Sequence, residues 1–211
     1  EYTNAAKGAA IIGILFHHLF SNASEDWGLP FDVEGVQNLA LYLKVGVAAF
    51  AFLSAYGLTK VWCSVENGQD SRPLRQKYGS WVIARYLKMM RGFWFIYVLI
   101  FLLTSFTDRT PFYVYGQERM PVLSGVLDAL GLANFFGCTL LNETWWYMSL
   151  AIVILVCVPL LAAAEKHWGI GAVLVLAMVP NYVFTAYSVP ADYILPVVLG
   201  VYFARNDTLE K

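Results

Sequence analysis

Apolar residues fall in long blocks along this chain, with polar residues gathered in the short stretches between them. That pattern predicts helices buried all round rather than alternating strands or one-sided surface helices. The first block is Ala5–Phe20. The second is Leu39–Trp62, long enough to cross a bilayer. Ser80–Arg91 has helical spacing and runs on into a third apolar block, Gly92–Phe106. Val122–Phe136 is a weaker fourth, containing Asp128 and Asn134. Trp145–Ala164 is uncharged throughout, and Gly169–Val189 follows with Pro180-Asn181 inside it, which predicts a kink there. Ile194–Ala204 is a short last block. The expectation is an all-α, polytopic transmembrane bundle of about seven spans, with no internal repeat.

Charge placement orients these spans. Half of the Lys and Arg residues lie in 60–91, whereas the loop 21–38 carries Glu25, Asp26, Asp32 and Glu34 and no cation. Cytoplasmic loops are enriched in Lys and Arg, so 60–91 is read as a basic cytoplasmic segment and the acidic loop as external. The N-terminus is then cytoplasmic, and an odd number of spans leaves the tail Arg205–Lys211 outside. Composition agrees with the class: 59% of residues are hydrophobic and 14% charged, against about 25% charged in soluble domains. Seven Trp among 16% aromatic residues suit two membrane interfaces. Trp145, Trp146 and Tyr147 read first as such a belt.

The chain opens on Glu1 rather than Met, as a trimmed N-terminus would, and residues 1–24 fit a signal peptide poorly. Cys63, Cys138 and Cys157 are odd in number and widely spaced, so neither a disulfide framework nor a metal site is expected. Asn22, Asn142 and Asn206 head N-x-S/T triplets, a pattern common by chance that matters only in a eukaryotic secretory pathway.

The candidate chemistry starts in the first block. Lys7 and His18 are eleven residues apart, about three turns, so they share a helix face and stand ~16 Å apart along its axis. His17 and His18 point ~100° apart, and the spacing selects His18 for the Lys7 face. An imidazole there can act as general base; equally, it can hold a helix–helix hydrogen bond. Lys7 can bind an anionic ligand or simply snorkel. Lys44, inside the second block, poses the same choice. Arg85, Lys88 and Arg91 recur every three residues as a basic stripe, able to grip phosphates or merely to mark the inner face. Ser54 and Tyr56 can hydrogen-bond across helices or line a pocket.

These motifs together resemble the acyltransferase 3 family of polytopic membrane acyltransferases. The family's first span carries a basic residue, usually Arg, ten residues and then His; here NAAKGAAIIGILFHHLF supplies Lys7 and His18. GVAAFAFLSAYG (46–57) is similar to the family's GVxLFFFLSGY, RYLKMMR (85–91) to its R-x-x-R cluster, WWYMSL (145–150) to its WYLS, and ILPVVLGVYFAR to its LLGMLLAR segment. Lys7 stands where Arg is usual, Ala55 where Gly is usual, and Ala151 and Ile152 where an acidic pair often stands. Members carry further spans, so 1–211 is read as a single membrane-embedded acyltransferase domain lacking its last spans.

The resemblance implies transfer of an acyl group, commonly acetyl from acetyl-CoA, to a hydroxyl of a cell-surface polysaccharide or lipid-linked sugar, in a bacterial inner membrane. His18 would be the base and Lys7 would orient the donor. Arg85, Lys88 and Arg91 would hold its phosphates, and His17, Lys44, Ser54, Tyr56 and Trp146 are candidate pocket residues. No resident cofactor and no nucleic-acid partner is expected beyond the acyl-CoA co-substrate and the bilayer. Two other readings stand beside this one: a transporter using Lys7, Lys44 and His18 along a solute or proton path, and an anchor or sensor fragment inactive alone.

Overall fold

The computed structural model describes residues 2–23, 28, 30, 32–68, 71–183 and 192–209, with backbone only at 2–4 and 180–183. Glu25 and Asp26 of the acidic loop, and the end of the sixth predicted block beyond 183, lie outside the described residues. All the regular structure among the described residues is helical. The helices are α1 (Tyr2–Phe20), α2 (Val33–Leu43), α3 (Val45–Glu66), α4 (Leu74–Thr104), α5 (Pro111–Gly116), α6 (Pro121–Ala129), α7 (Trp146–Val183) and α8 (Ile194–Arg205).

Among the described residues, three helical units are long and apolar enough to cross a membrane: Val33–Glu66, Leu74–Thr104 and Glu143–Val179. Shorter apolar helices, Ala5–Phe20 and Ile194–Arg205, pack beside them. This is an integral membrane architecture. Helix α2 begins where the Asp32 carboxylate accepts a hydrogen bond from the Gly35 amide at 3.0 Å, a side-chain N-cap. It therefore starts earlier than the apolar run at Leu39. Lys44 is the single residue between α2 and α3; it keeps helical dihedrals (φ −55°, ψ −25°) and is exposed.

The core lies where α3, α4, α7 and α8 meet. Ala51, Ala55 and Trp62 of α3 pack with Trp81, Ile154, Val158, Val197 and Val201. Without a hydrophobic drive between helices in lipid, close approach at small residues holds such a bundle. A Cβ at Gly200 would sit 2.4 Å from the Phe52 carbonyl oxygen, and one at Gly46 would sit 2.9 Å from the Ala10 carbonyl oxygen. These two glycines set how deeply α8 and α1 seat on α3.

Three expectations are corrected. The fourth block, Val122–Phe136, is not a span. Pro121 starts α6 and the chain turns at Gly131 (φ 72°), leaving a nine-residue helix, ~13 Å long against ~30 Å of hydrocarbon. It lies along α4, and its C-terminal carbonyls are taken up by neighbouring side chains. Trp94 Nε1 donates to Ala129 (2.9 Å), the Tyr86 hydroxyl to Leu130 (3.1 Å) and the Ser149 hydroxyl to Gly131 (2.8 Å). Protein thus supplies the partners that lipid cannot. Three spans by length and composition, not about seven, are found among the described residues.

The second correction concerns the break in α7. It falls at Gly169 (φ 75°, ψ 165°), a left-handed conformation suited to glycine, not at Pro180-Asn181. Leu161 before the break and Val173 and Ala177 after it join one cluster around Val198, so the two arms fold toward each other.

Third, the tail is on the other side from the one expected. Lys60 pairs with Asp207, Lys166 with Glu66 at 3.6 Å, and Arg205 with Glu165 at 2.7 Å. The end of α8 therefore lies at the same face as Lys60 and the basic segment.

Candidate functional site

Helices α1 and α3 run antiparallel, so the N-terminal half of α1 meets the C-terminal half of α3. Lys7 Nζ lies over the Gly57 backbone, 3.6 Å from where a Cβ would stand. Helix α4 brings Arg85 and Lys88 to the same place. These three cations, with Phe50, Ser54, Gly57, Met89, Tyr147 and Met148 among others, line a cavity of 630 Å³. No carboxylate lines it among the described residues. Three positive charges in a largely apolar wall, with no carboxylate among the described lining residues, favour negative charge in this space.

His18 lies further along α1, at the edge of a second cavity of 360 Å³ lined by Ile11, Ile14, Leu15, Val47, Phe50, Thr144, Trp146 and Tyr147. The two cavities have Phe50 and Tyr147 in common. Their rings meet edge to face, with centroids 5.5 Å apart and planes at 74°. The Tyr147 hydroxyl is buried toward Ser54 without closing a regular hydrogen bond.

The other sequence candidates separate clearly. His17 turns away: its Nδ1 donates to the Ala40 carbonyl at 2.8 Å, tying α1 to α2, while its ring lies 5.3 Å from that of His18. His18 is thus the histidine on the cavity. Trp146 lines the His18 cavity and stacks on Tyr193, with centroids 5.7 Å apart and planes at 20°. Ser54 lines the cation cavity. Tyr56 does not; it is buried beside Gly200 of α8, with Lys60 Nζ 5.7 Å from its ring centre. Lys44, at the junction of α2 and α3, lines neither cavity, and Arg91 is exposed and lines neither.

Phe50, Gly57 and Tyr147 are the site residues that sequence reading passed over. A signal was present. Phe50, Ser54, Gly57, Leu58 and Val61 recur at helical spacing, so they form one face of α3. The belt reading holds poorly for this cluster: Trp145 is buried against Phe93, with ring centroids 5.2 Å apart, and Tyr147 faces inward.

An acyltransferase-domain family model matches residues 1–211, the whole chain. No curated protein and no solved structure matches it.

Proposed function

The chain belongs to the acyltransferase 3 family of membrane acyltransferases, and from that premise we propose that it moves a short acyl group, acetyl in the first instance, from acyl-CoA to a hydroxyl of a cell-envelope glycan or lipid-linked sugar. One observation carries the reading: Lys7, Arg85 and Lys88 converge on a carboxylate-free cavity that adjoins the His18 cavity through a shared aromatic wall. The cation cavity takes the donor's phosphates. Arg gives a bidentate fork, whereas the two lysines act as point charges. Exposed Arg91 lies outside that grip.

His18 takes the proton from the acceptor hydroxyl. The freed oxygen attacks the thioester carbonyl carbon, and the C–S bond breaks. The CoA thiolate leaves and regains a proton from the imidazolium, so the base is restored. Lys7 orients the donor from three helical turns away. In this reading the membrane is a bacterial inner membrane; the basic segment 60–91 supports a cytoplasmic donor side, with the His18 end toward the outside.

Membranes bearing the full chain are given labelled acetyl-CoA, with thiol release and label incorporation followed together. His18→Ala should lower transfer by about 10²–10⁴-fold, the usual worth of a general base, while His17→Ala should lose helix anchoring rather than chemistry. Undiminished transfer by His18→Ala would remove the central claim. The same two cavities in series also suit a solute path. Flux into reconstituted vesicles without thioester consumption would select that second reading.

A further inference from the structure

Among the described residues, Phe50 and Tyr147 are common to both cavity linings. Phe50 comes from α3 and Tyr147 from the first turns of α7, and their rings close edge to face at 5.5 Å. A donor held by its phosphates at Lys7, Arg85 and Lys88 reaches toward His18 most directly past these shared rings. Ordinary packing explains an aromatic pair; the buried Tyr147 hydroxyl beside it has Ser54 as its nearest polar neighbour, at the margin of hydrogen-bond geometry. Buried Tyr hydroxyls usually find a hydrogen-bond partner. This one sits toward Ser54, and both residues line the cation cavity.

We propose that the Phe50 and Tyr147 rings are the acyl-chain selector: a short acyl group passes with a small displacement of the two rings, and longer chains, which need a larger one, are turned back. The inference rests on the acyl-transfer reading above. Its physics is steric. A longer chain must separate rings already in contact, and inserting methylenes into a packed contact is unfavourable. Removing one ring makes each added methylene a gain of burial instead, about fourfold in kcat/KM per methylene accommodated.

The test uses the full chain in its own membranes with acetyl-, butyryl- and hexanoyl-CoA as probes, reading CoA thiol release as the ratio of long to acetyl substrate. Wild type should fall steeply with length. Phe50→Ala should raise the butyryl/acetyl ratio by about tenfold or more, two methylenes' worth. Phe50→Leu, gentler on packing, should shift it the same way by less. Tyr147→Phe keeps the ring and should keep the ratio. Thioester consumption with an unchanged ratio in both Phe50 variants overturns the selector alone, as does a Tyr147→Phe shift equal to that of Phe50→Ala. Absence of any thioester consumption by wild type overturns the acyl-transfer reading and the selector with it.

Discussion

Gly46 fixes the depth at which α1 presents both Lys7 and His18, so Gly46→Ala tests the geometry of the whole site with one methyl group. The new Cβ would lie 2.9 Å from the Ala10 carbonyl oxygen and 3.2 Å from Ile14 Cγ1. Ile14 can turn aside, but Ala10 O is backbone, so α1 itself must move by about 0.5 Å to reach ordinary contact near 3.4 Å. Overpacking of this kind costs about 1–3 kcal/mol. Alanine returns about 0.5–1 kcal/mol of helix propensity, leaving a net loss of about 0.5–2 kcal/mol. That corresponds to a fall in Tm of about 2–4 °C per kcal/mol.

The activity change should be larger than the stability change. Displacement of a reacting group by about 1 Å can cost about 10²-fold, and half that shift at Gly46 is levered along α1 toward both ends. Gly8→Ala is the control: nothing lies within 4 Å of its added Cβ. Thermal unfolding in detergent and acyl transfer in membranes should separate the two variants, with Gly8→Ala at or above wild type in both. If Gly46→Ala matches wild type in both assays, close approach of α1 to α3 does not set the site.

Two further outcomes follow from contacts away from the cavities. Glu118 accepts hydrogen bonds from the Thr139 amide (2.7 Å) and hydroxyl, which hold its carboxyl below the usual carboxylate range. A depressed native pKa contributes stability that is fully present above about pH 4.5 and lost as pH falls through the native value, so the protection of the Thr139 amide, its exchange relative to the intrinsic rate at each pH, should fall on acidification and Glu118→Gln should flatten that dependence. Asp128, fully buried, accepts from the Tyr115 hydroxyl (2.7 Å) and the Leu141 amide (2.8 Å); Asp128→Ala strands both donors at about 1–3 kcal/mol each, which thermal unfolding would read and an unchanged Tm would refute.

The helices were legible wherever an apolar block was long and unpunctuated, as in α3, α4 and the first arm of α7. Val122–Phe136 misleads because composition alone supports a span, while Pro121 and Gly131 cut it to nine residues. What makes so short a segment tenable is remote in sequence: Tyr86, Trp94 and Ser149 satisfy its carbonyls. Hydropathy contains no trace of those partners, nor of the Lys60–Asp207 pair that holds the tail at the face of the basic segment. The α7 break shows the same limit. Pro180 is the stronger local signal, yet the chain breaks at Gly169, where glycine alone takes the positive φ without strain.

Site residues were legible where helix geometry decides alone and illegible where a second helix decides. Lys7 and His18 share a face because eleven residues return about three turns. The basic stripe is subtler. Steps of three fall 60° short of a full turn, so Arg91 stands ~120° around α4 from Arg85 and leaves the cavity that Arg85 and Lys88 line. By the same arithmetic Ser54 and Tyr56, ~200° apart, cannot both face it.

The three-turn separation also has an electrostatic consequence for the proposed mechanism. Two unit positive charges ~16 Å apart repel by about 1 kcal/mol at an effective dielectric of 20, against about 3 kcal/mol at 5 Å. Cations gathered to grip phosphates would oppose protonation of an imidazole beside them. Set at the far end of the same helix, behind the Phe50–Tyr147 wall, they oppose it little. The length of α1 between Lys7 and His18 therefore lets one helix carry both an anion grip and a base.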